Sequence, residues 1–467
     1  MKTRMAMLVT AAVLAAALGL YPQATRTVPV QLSDESAACL ACHESPLAGL
    51  IKEWRYSRHY SGNVGCYECH AAQASDPDAV EHNGYHISVI VSPKDCSKCH
   101  INEFTQFEAS HHADAGAILG SLDNMLGEVV EGPASANSGC KQCHGGVVKV
   151  NPDKTLDAAT WPNSGMGRIN PDGSKGSCAA CHSRHSFDAG LARQPENCGK
   201  CHLGPDHPQK EIYEESKHGI AYYANIGRMN LDSASWIVGV DYSAAPTCAT
   251  CHMSAANDLP LSHDVGARIS WTLRPAISQK VDTSALKAGR QVKAWEARRA
   301  DMKKVCANCH TSNYMNNFYK QYDAQVEEYN GKFAMPATEI YGRLRSSGLL
   351  TSDIDFDEPL EWTYYYLWHH EGRRARMGTA MFAPDYTQWH GMFEVAGRFY
   401  IEFLPQVKEV LDKAKAAGGA KAGAAREIEK LVEAILDKPE HKWFIGEEPA
   451  EVKAARKKAA EEFRKRY

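Results

Sequence analysis

Every cysteine in this chain belongs to a Cys-x-x-Cys-His motif. There are sixteen cysteines and eight motifs, so none is left over. The motifs join Cys39 with Cys42, Cys66 with Cys69, Cys96 with Cys99, Cys140 with Cys143, Cys178 with Cys181, Cys198 with Cys201, Cys248 with Cys251 and Cys306 with Cys309. They close on His43, His70, His100, His144, His182, His202, His252 and His310. This is the attachment signature of c-type haem, in which two thiols bond to the porphyrin and the histidine offers a nitrogen to iron. A disulfide framework would not place a histidine after every pair. Structural zinc gathers a second cysteine pair at short spacing, which is not the pattern here. The sequence therefore predicts eight covalently bound haem c groups.

With eight porphyrins in 467 residues, much of the core must be cofactor instead of side chain. The expected fold is mainly α: helices and loops wrapped around haems, long C-terminal helices and little β. The formal net charge is −4 and no long basic block occurs, which argues against nucleic acid as a partner.

Lys2 and Arg4 precede an apolar run from Met5 to about Tyr21. The run is short for a membrane span and reads as an export signal over residues 1–24, cleaved near Ala24. A periplasmic or otherwise extracytoplasmic protein, soluble after cleavage, is expected. Residues 25–135 hold three motifs, 136–310 hold five, and 311–467 hold none. The last of these regions is helical in pattern, as is Ser284 to Lys304. Asn163 to Gly176 reads as a long loop. The final sixty residues are rich in Ala, Lys and Glu and break at Gly418, which suits solvated or intersubunit helices.

Of the 21 histidines, eight lie in the motifs. An electron-transfer haem needs a second axial ligand, whereas a catalytic haem needs an open face. Three spare histidines share the pattern aromatic-x-x-Ser-x-His: Trp54 to His59, Phe107 to His112 and Tyr213 to His218. The repetition assigns His59, His112 and His218 to distal ligation. His86, His185, His263 and His390 are further distal candidates. His82 competes with His86, and His369 or His370 with His390. Seven distal ligands for eight haems leave one haem open.

Two stretches carry a family resemblance. The first, Trp161 to Trp271, includes Trp161-Pro-Asn, Gly167-Arg-Ile-Asn-Pro-Asp, Gly204-Pro-Asp-His-Pro, Glu215-Ser-Lys-His-Gly and Ser262-His-Asp-Val-Gly. The second includes Trp368-His-His-Glu-Gly-Arg-Arg-Ala-Arg and Pro384-Asp-Tyr-Thr-Gln-Trp-His-Gly. Both resemble octahaem hydroxylamine oxidoreductases. The five motifs from Cys140 onward also resemble the related pentahaem nitrite reductases, which usually carry lysine where His144 stands.

The resemblance implies that the active haem is the fourth, on Cys140, Cys143 and His144. It implies that Asp206 and His207 stand over its open face, where a histidine can accept substrate protons. In oxidative members a tyrosine from a neighbouring subunit bonds covalently to the active haem; Tyr386 matches it, with Tyr364, Tyr365 and Tyr366 as rivals. The family further implies a homotrimer, a small nitrogenous substrate, and a cytochrome or quinone-linked redox partner. Hydroxylamine oxidation is the first expectation. Hydrazine oxidation, reduction of nitrite or hydroxylamine to ammonia, and a pure electron carrier are the alternatives.

Overall fold

The structure is a computed structural model. It describes residues 29–118, 125–281, 293–351 and 353–466, with the backbone of 286–287 and 290–291. The export signal expected over residues 1–24 lies outside these. The chain forms two compact units, one ending at Cys69 and the other running from His70 onward.

In the first unit, helix α1 (Asp34–His43) carries the first motif on its last two turns and is capped by the Ser33 side chain. Helix α2 (Ala48–Tyr56) buries Ile51 and Trp54. Ser57 ends it and caps the next short helix, α3 (Arg58–Ser61), by accepting from the Tyr60 N–H at 3.1 Å. His59 sits on that new turn.

In the second unit, helices dominate, and among the described residues strands occur only as antiparallel pairs of two or three residues. The expected mainly α, low-β fold is what the chain adopts. The expectation of a helix from Ser284 is corrected. Leu286–Lys287 pairs with Arg290–Gln291, and helix α4 (Trp295–Cys306) begins only at Trp295. Asp301 salt-bridges Lys293 ahead of that helix, and Glu296 lies in its first turn.

The largest apolar cluster lies entirely between residues 329 and 435, where no haem motif occurs. Helix α5 (Ser312–Tyr329) gives it Tyr329, while Tyr322 and Val326 on the same helix join a smaller cluster with Trp271 and Tyr319. Helix α6 (Met335–Ser346) adds Ala337, Ile340 and Leu344. Helices α7 (Leu404–Ala417) and α8 (Gly419–Leu436) fold back on each other across Gly418, whose φ of +77° favours glycine. Phe399 and Phe403 fill the centre of the cluster with no exposed surface. Side chains alone thus build the C-terminal core. Upstream, the apolar clusters are smaller, as expected where porphyrins supply the bulk. The last helix, α9 (Ala450–Arg466), buries nothing. Among the described residues, no helix is long and apolar enough to cross a membrane.

Candidate haem-based active site

The fourth motif forms one short helix, Cys140–His144, ended by Gly145 at φ +87°. A Cβ at Gly145 would collide with the Arg168 backbone, so only glycine lets the neighbouring loop come this close. That loop is the stretch Asn163 to Gly176. Its Met166 and Gly167 N–H groups each donate at 2.9 Å, to the Cys143 and His144 carbonyls. The buried Arg168 guanidinium is held by Asn170 Oδ1 and the Asn163 carbonyl. The loop therefore fixes the end of the motif that bears His144.

The Gly204–Pro208 turn carries Asp206 and His207. His207 is engaged at both ring nitrogens: Nδ1 faces Asp206 Oδ1 at 2.5 Å and Nε2 faces the Cys201 carbonyl at 2.9 Å. The Cys143 sulfur lies 3.9 Å from the carbonyl of Lys200, the residue just before Cys201, so the stretch of backbone that His207 touches also touches the fourth motif. The structure thus brings the Asp206–His207 pair to the fourth motif.

Burial by itself would lower the His207 pKa. The hydrogen bond and charge of Asp206 override it, so the pKa is raised. Burial likewise works to raise Asp206, and the His207 hydrogen bond, with the charges of His207, His369 and Arg373, brings it down instead. Asp206 stays ionised and His207 has an acceptor for each N–H of its protonated form.

Two groups at this site were not assigned to it from the sequence. Arg373 Nη1 reaches Asp206 Oδ2 at 3.2 Å, and its Nε donates to the Arg274 carbonyl at 2.9 Å. His369 Nε2 stands 3.9 Å from the same carboxylate oxygen. Tyr365, His369 and Arg373 recur every four residues, so they share one helix face that looks onto the Gly204–Pro208 turn. That spacing was visible in the sequence, but the turn it faces, more than 150 residues upstream, was not.

Tyr386 lies on the other side of the same turn. With Gly204, Pro205, Pro208, Glu211, Arg374 and His390 it lines a cavity of about 210 Å³. Its backbone N–H donates to Glu215 Oε1 at 3.2 Å. Gly378 lets this segment pack closely, since a Cβ there would meet the Thr387 nitrogen at 2.6 Å. Burial, then Glu211 and Glu215, raise the Tyr386 pKa. Of its rivals, Tyr364 bonds Thr338 and stacks on Tyr341, Tyr366 packs edge-on to His370, and Tyr365 stacks on His369 on the helix face toward the turn.

Two imidazoles sharing one iron, each at about 2 Å, hold their ring centroids roughly 6 Å apart. Three distal candidates meet motif histidines at such distances. His112 lies 6.1 Å from His202, His218 lies 6.1 Å from His310, and His263 lies 6.5 Å from His182. His207 is also 6.3 Å from His202, but both of its nitrogens are engaged. Motif histidines are braced as iron ligands need. His70 Nδ1 meets the Ser88 carbonyl at 2.8 Å, and His252 Nδ1 meets that of Val265 at 3.2 Å. The residues present fit haem.

His185 is half-buried and feels the charge of His70. His86 stands exposed on the hairpin of Val80–His82 and Tyr85–Ile87. His390 is exposed beside Tyr386, with Nδ1 facing Glu394 at 3.2 Å and Nε2 facing Asp385 at 3.3 Å. Among the described residues, neither His86 nor His390 makes ring contact with a motif histidine.

The repeated aromatic-x-x-Ser-x-His pattern has a structural reason. Trp54, Phe107 and Tyr213 are buried anchors that end one helix, and the buried serine starts the next turn. Ser57 accepts from Tyr60 N–H, Ser110 from His112 N–H, and Ser216 from Gly219 N–H. Each histidine is thereby set on a new turn at a fixed angle to its anchor.

Two family models match the chain: seven times multi-haem cytochrome CxxCH over residues 171–355, and cytochrome c7 and related cytochrome c over residues 129–203. This is a multihaem c-type cytochrome, with covalently bound haem c. Within that class it is related to hydroxylamine oxidoreductase-like proteins. It is 30% identical, over 246 residues and 47% of its length, to a probable nitrite reductase-hydroxylamine oxidoreductase fusion protein of Kuenenia stuttgartiensis. The chain spans only 26% of that relative. Among solved structures, a hypothetical multihaem protein matches over 84% of this chain and 100% of its own, at 26% identity and a TM-score of 0.71. A Kuenenia stuttgartiensis reducing HAO-like protein complex shares the fold over 86% of each chain, at 20% identity and a TM-score of 0.59.

Proposed function

We propose that the protein is an exported octahaem oxidoreductase that oxidises hydroxylamine, to nitric oxide or nitrite, at the haem on Cys140, Cys143 and His144. The observation that carries this reading is the Asp206–His207 pair, held on the Lys200–Cys201 backbone against which the Cys143 sulfur packs. When bound, that haem supplies a coordination site for the substrate nitrogen and accepts its electrons.

The chain's own residues handle the protons. A neutral His207 would turn a lone pair toward either a carboxylate or a carbonyl, which is unfavourable. Taking up a proton converts both contacts into N–H···O hydrogen bonds, so the geometry makes His207 a strong base. Arg373 keeps Asp206 ionised for that purpose. His112 with His202, His218 with His310 and His263 with His182 would hold further haems as bis-histidine pairs, and those groups would supply an electron path toward a cytochrome or quinone-linked acceptor. Tyr386, crosslinked to the active haem, would favour the oxidative direction. If that tyrosine comes from a neighbouring subunit, the working unit is a homotrimer. Periplasmic location follows from the export signal.

A second reading is reductive, taking nitrite or hydroxylamine to ammonia. One observation favours it: a histidine with acceptors on both nitrogens is also a ready proton donor. The reducing HAO-like complex shares the fold. Turnover of purified holoprotein decides between the two. Oxidation predicts that hydroxylamine or hydrazine reduces an added acceptor dye. Ammonia formation from nitrite and reduced viologen, without any dye reduction, would replace the first reading with the second.

A further inference from the structure

We propose that His369, backed by Tyr365, is a positioning residue that shares Asp206 with His207 and carries protons away from the pair. This rests on the open-haem reading above and deepens it.

Asp206 lies between two imidazoles. Oδ1 faces His207 Nδ1 at 2.5 Å, and Oδ2 faces His369 Nε2 at 3.9 Å. The second gap is within ion-pair range and closes to a hydrogen bond with a small side-chain movement. His369 Nε2 also meets the Tyr365 hydroxyl at 3.0 Å, and the two rings stack at 4.2 Å and 20°. Both side chains are 4% exposed, so their orientation is fixed by packing. The helical row Tyr365–His369–Arg373 ends on Asp206 through Arg373, which holds the carboxylate in place at 3.2 Å. The helix is of π form from Tyr366 to Glu371, a geometry frequent at functional sites.

Oxidising a small amine releases several protons, and one histidine holds one. In the relay, His207 passes its Nδ1 proton to Asp206 Oδ1; the carboxylic acid so formed turns about its Cβ–Cγ bond until the same O–H faces His369 Nε2 and gives it that proton, which leaves Asp206 ionised again and His369 protonated. The new Nε2–H then donates to the Tyr365 oxygen. Only protons move; no bond between heavier atoms forms or breaks, and nothing is oxidised or reduced in this step. Among the described residues, Asp206, Tyr365 and His370 are titratable groups that face His369, with Arg373 on Asp206 and Arg374 near His370. Burial and then His369 itself push the His370 pKa down to about 4, so His370 stays neutral beside it.

The test uses the holoprotein with His369→Gln, Tyr365→Phe and both changes together. Each single variant should lower kcat by about tenfold, short of the roughly hundredfold or greater effect of losing the base itself, and leave KM unchanged. The double variant should be no worse than the poorer single, because the two act in one line. Independently of turnover, the midpoint potential of the ligand-accessible haem should depend less steeply on pH in His369→Gln. Unchanged kcat together with an unchanged potential–pH slope overturns the relay. A low-spin haem lost in His369→Gln also overturns it, by making His369 an iron ligand. Should that variant fail to assemble, Tyr365→Phe, which removes one hydroxyl, carries the same comparison. If the wild type turns over only nitrite, the oxidative reading fails while the relay is still judged by these variants, run in the reductive assay.

Discussion

Replacing Asp206 by Asn keeps the shape of the side chain and removes its charge. Hydrogen bonds to charged groups are worth roughly 1.5–3 kcal/mol and neutral ones about 1 kcal/mol. The Asp206 contact to His207 should therefore weaken by about 1–2 kcal/mol in the state where His207 holds a proton. With about 1.4 kcal/mol per factor of ten, kcat/KM at its plateau should fall about 5- to 30-fold. The Asp206 side chain is only 20% exposed, so solvent does little to erode the effect. The pH dependence gives the sharper sign. In the wild type Asp206 lifts the His207 pKa above its ordinary 6.5 against the effect of burial. The base form of His207 then emerges only as pH rises through that lifted value. In Asp206→Asn, burial and the Arg373 charge are opposed only by the Cys201 carbonyl, and the base form emerges at lower pH. The acid limb of the kcat/KM profile for hydroxylamine should move down in pH while its plateau drops. An acid limb that stays put, or moves up, would refute the assignment of His207 as the base.

Three further outcomes are expected. Ser216→Ala removes the cap that sets the His218 turn and should cost about 1 kcal/mol, read as a lower midpoint in denaturant. Phe403→Ala empties the centre of the C-terminal cluster and should cost about 3–5 kcal/mol with haem content unchanged by absorbance. In the mass spectrum of proteolysed protein, the haem peptide with Cys140 and Cys143 should carry the Tyr386 peptide, and Tyr386→Phe should release it. A wild-type haem peptide without that addition removes the crosslink and shifts weight to the reductive reading.

The haem scaffold was legible because covalent attachment writes itself into local sequence: two thiols and a histidine within five residues need no tertiary information. The turns that seat His112 and His218 were legible for a related reason, since their buried aromatic anchor and serine cap recur at fixed spacing. His86 and His390 had no such local signature. Among the described residues neither makes ring contact with a motif histidine, and His390 lies between two carboxylates. The roles of Arg373 and His369 could not be read locally, because they depend on how the Gly204–Pro208 turn meets a helix more than 150 residues further on. Helical periodicity over Ser284 to Lys304 misled because Leu286–Lys287 and Arg290–Gln291 are short enough to pair as strands within an otherwise helical pattern.

Titrating the oxidised holoprotein with cyanide, followed by electron paramagnetic resonance, tests the central claim most directly. A haem at His144 with one free face beside His207 predicts that one high-spin iron per chain converts on binding, while the bis-histidine haems stay unchanged. A protein whose irons are all low-spin before cyanide and unaltered after it would contradict that claim.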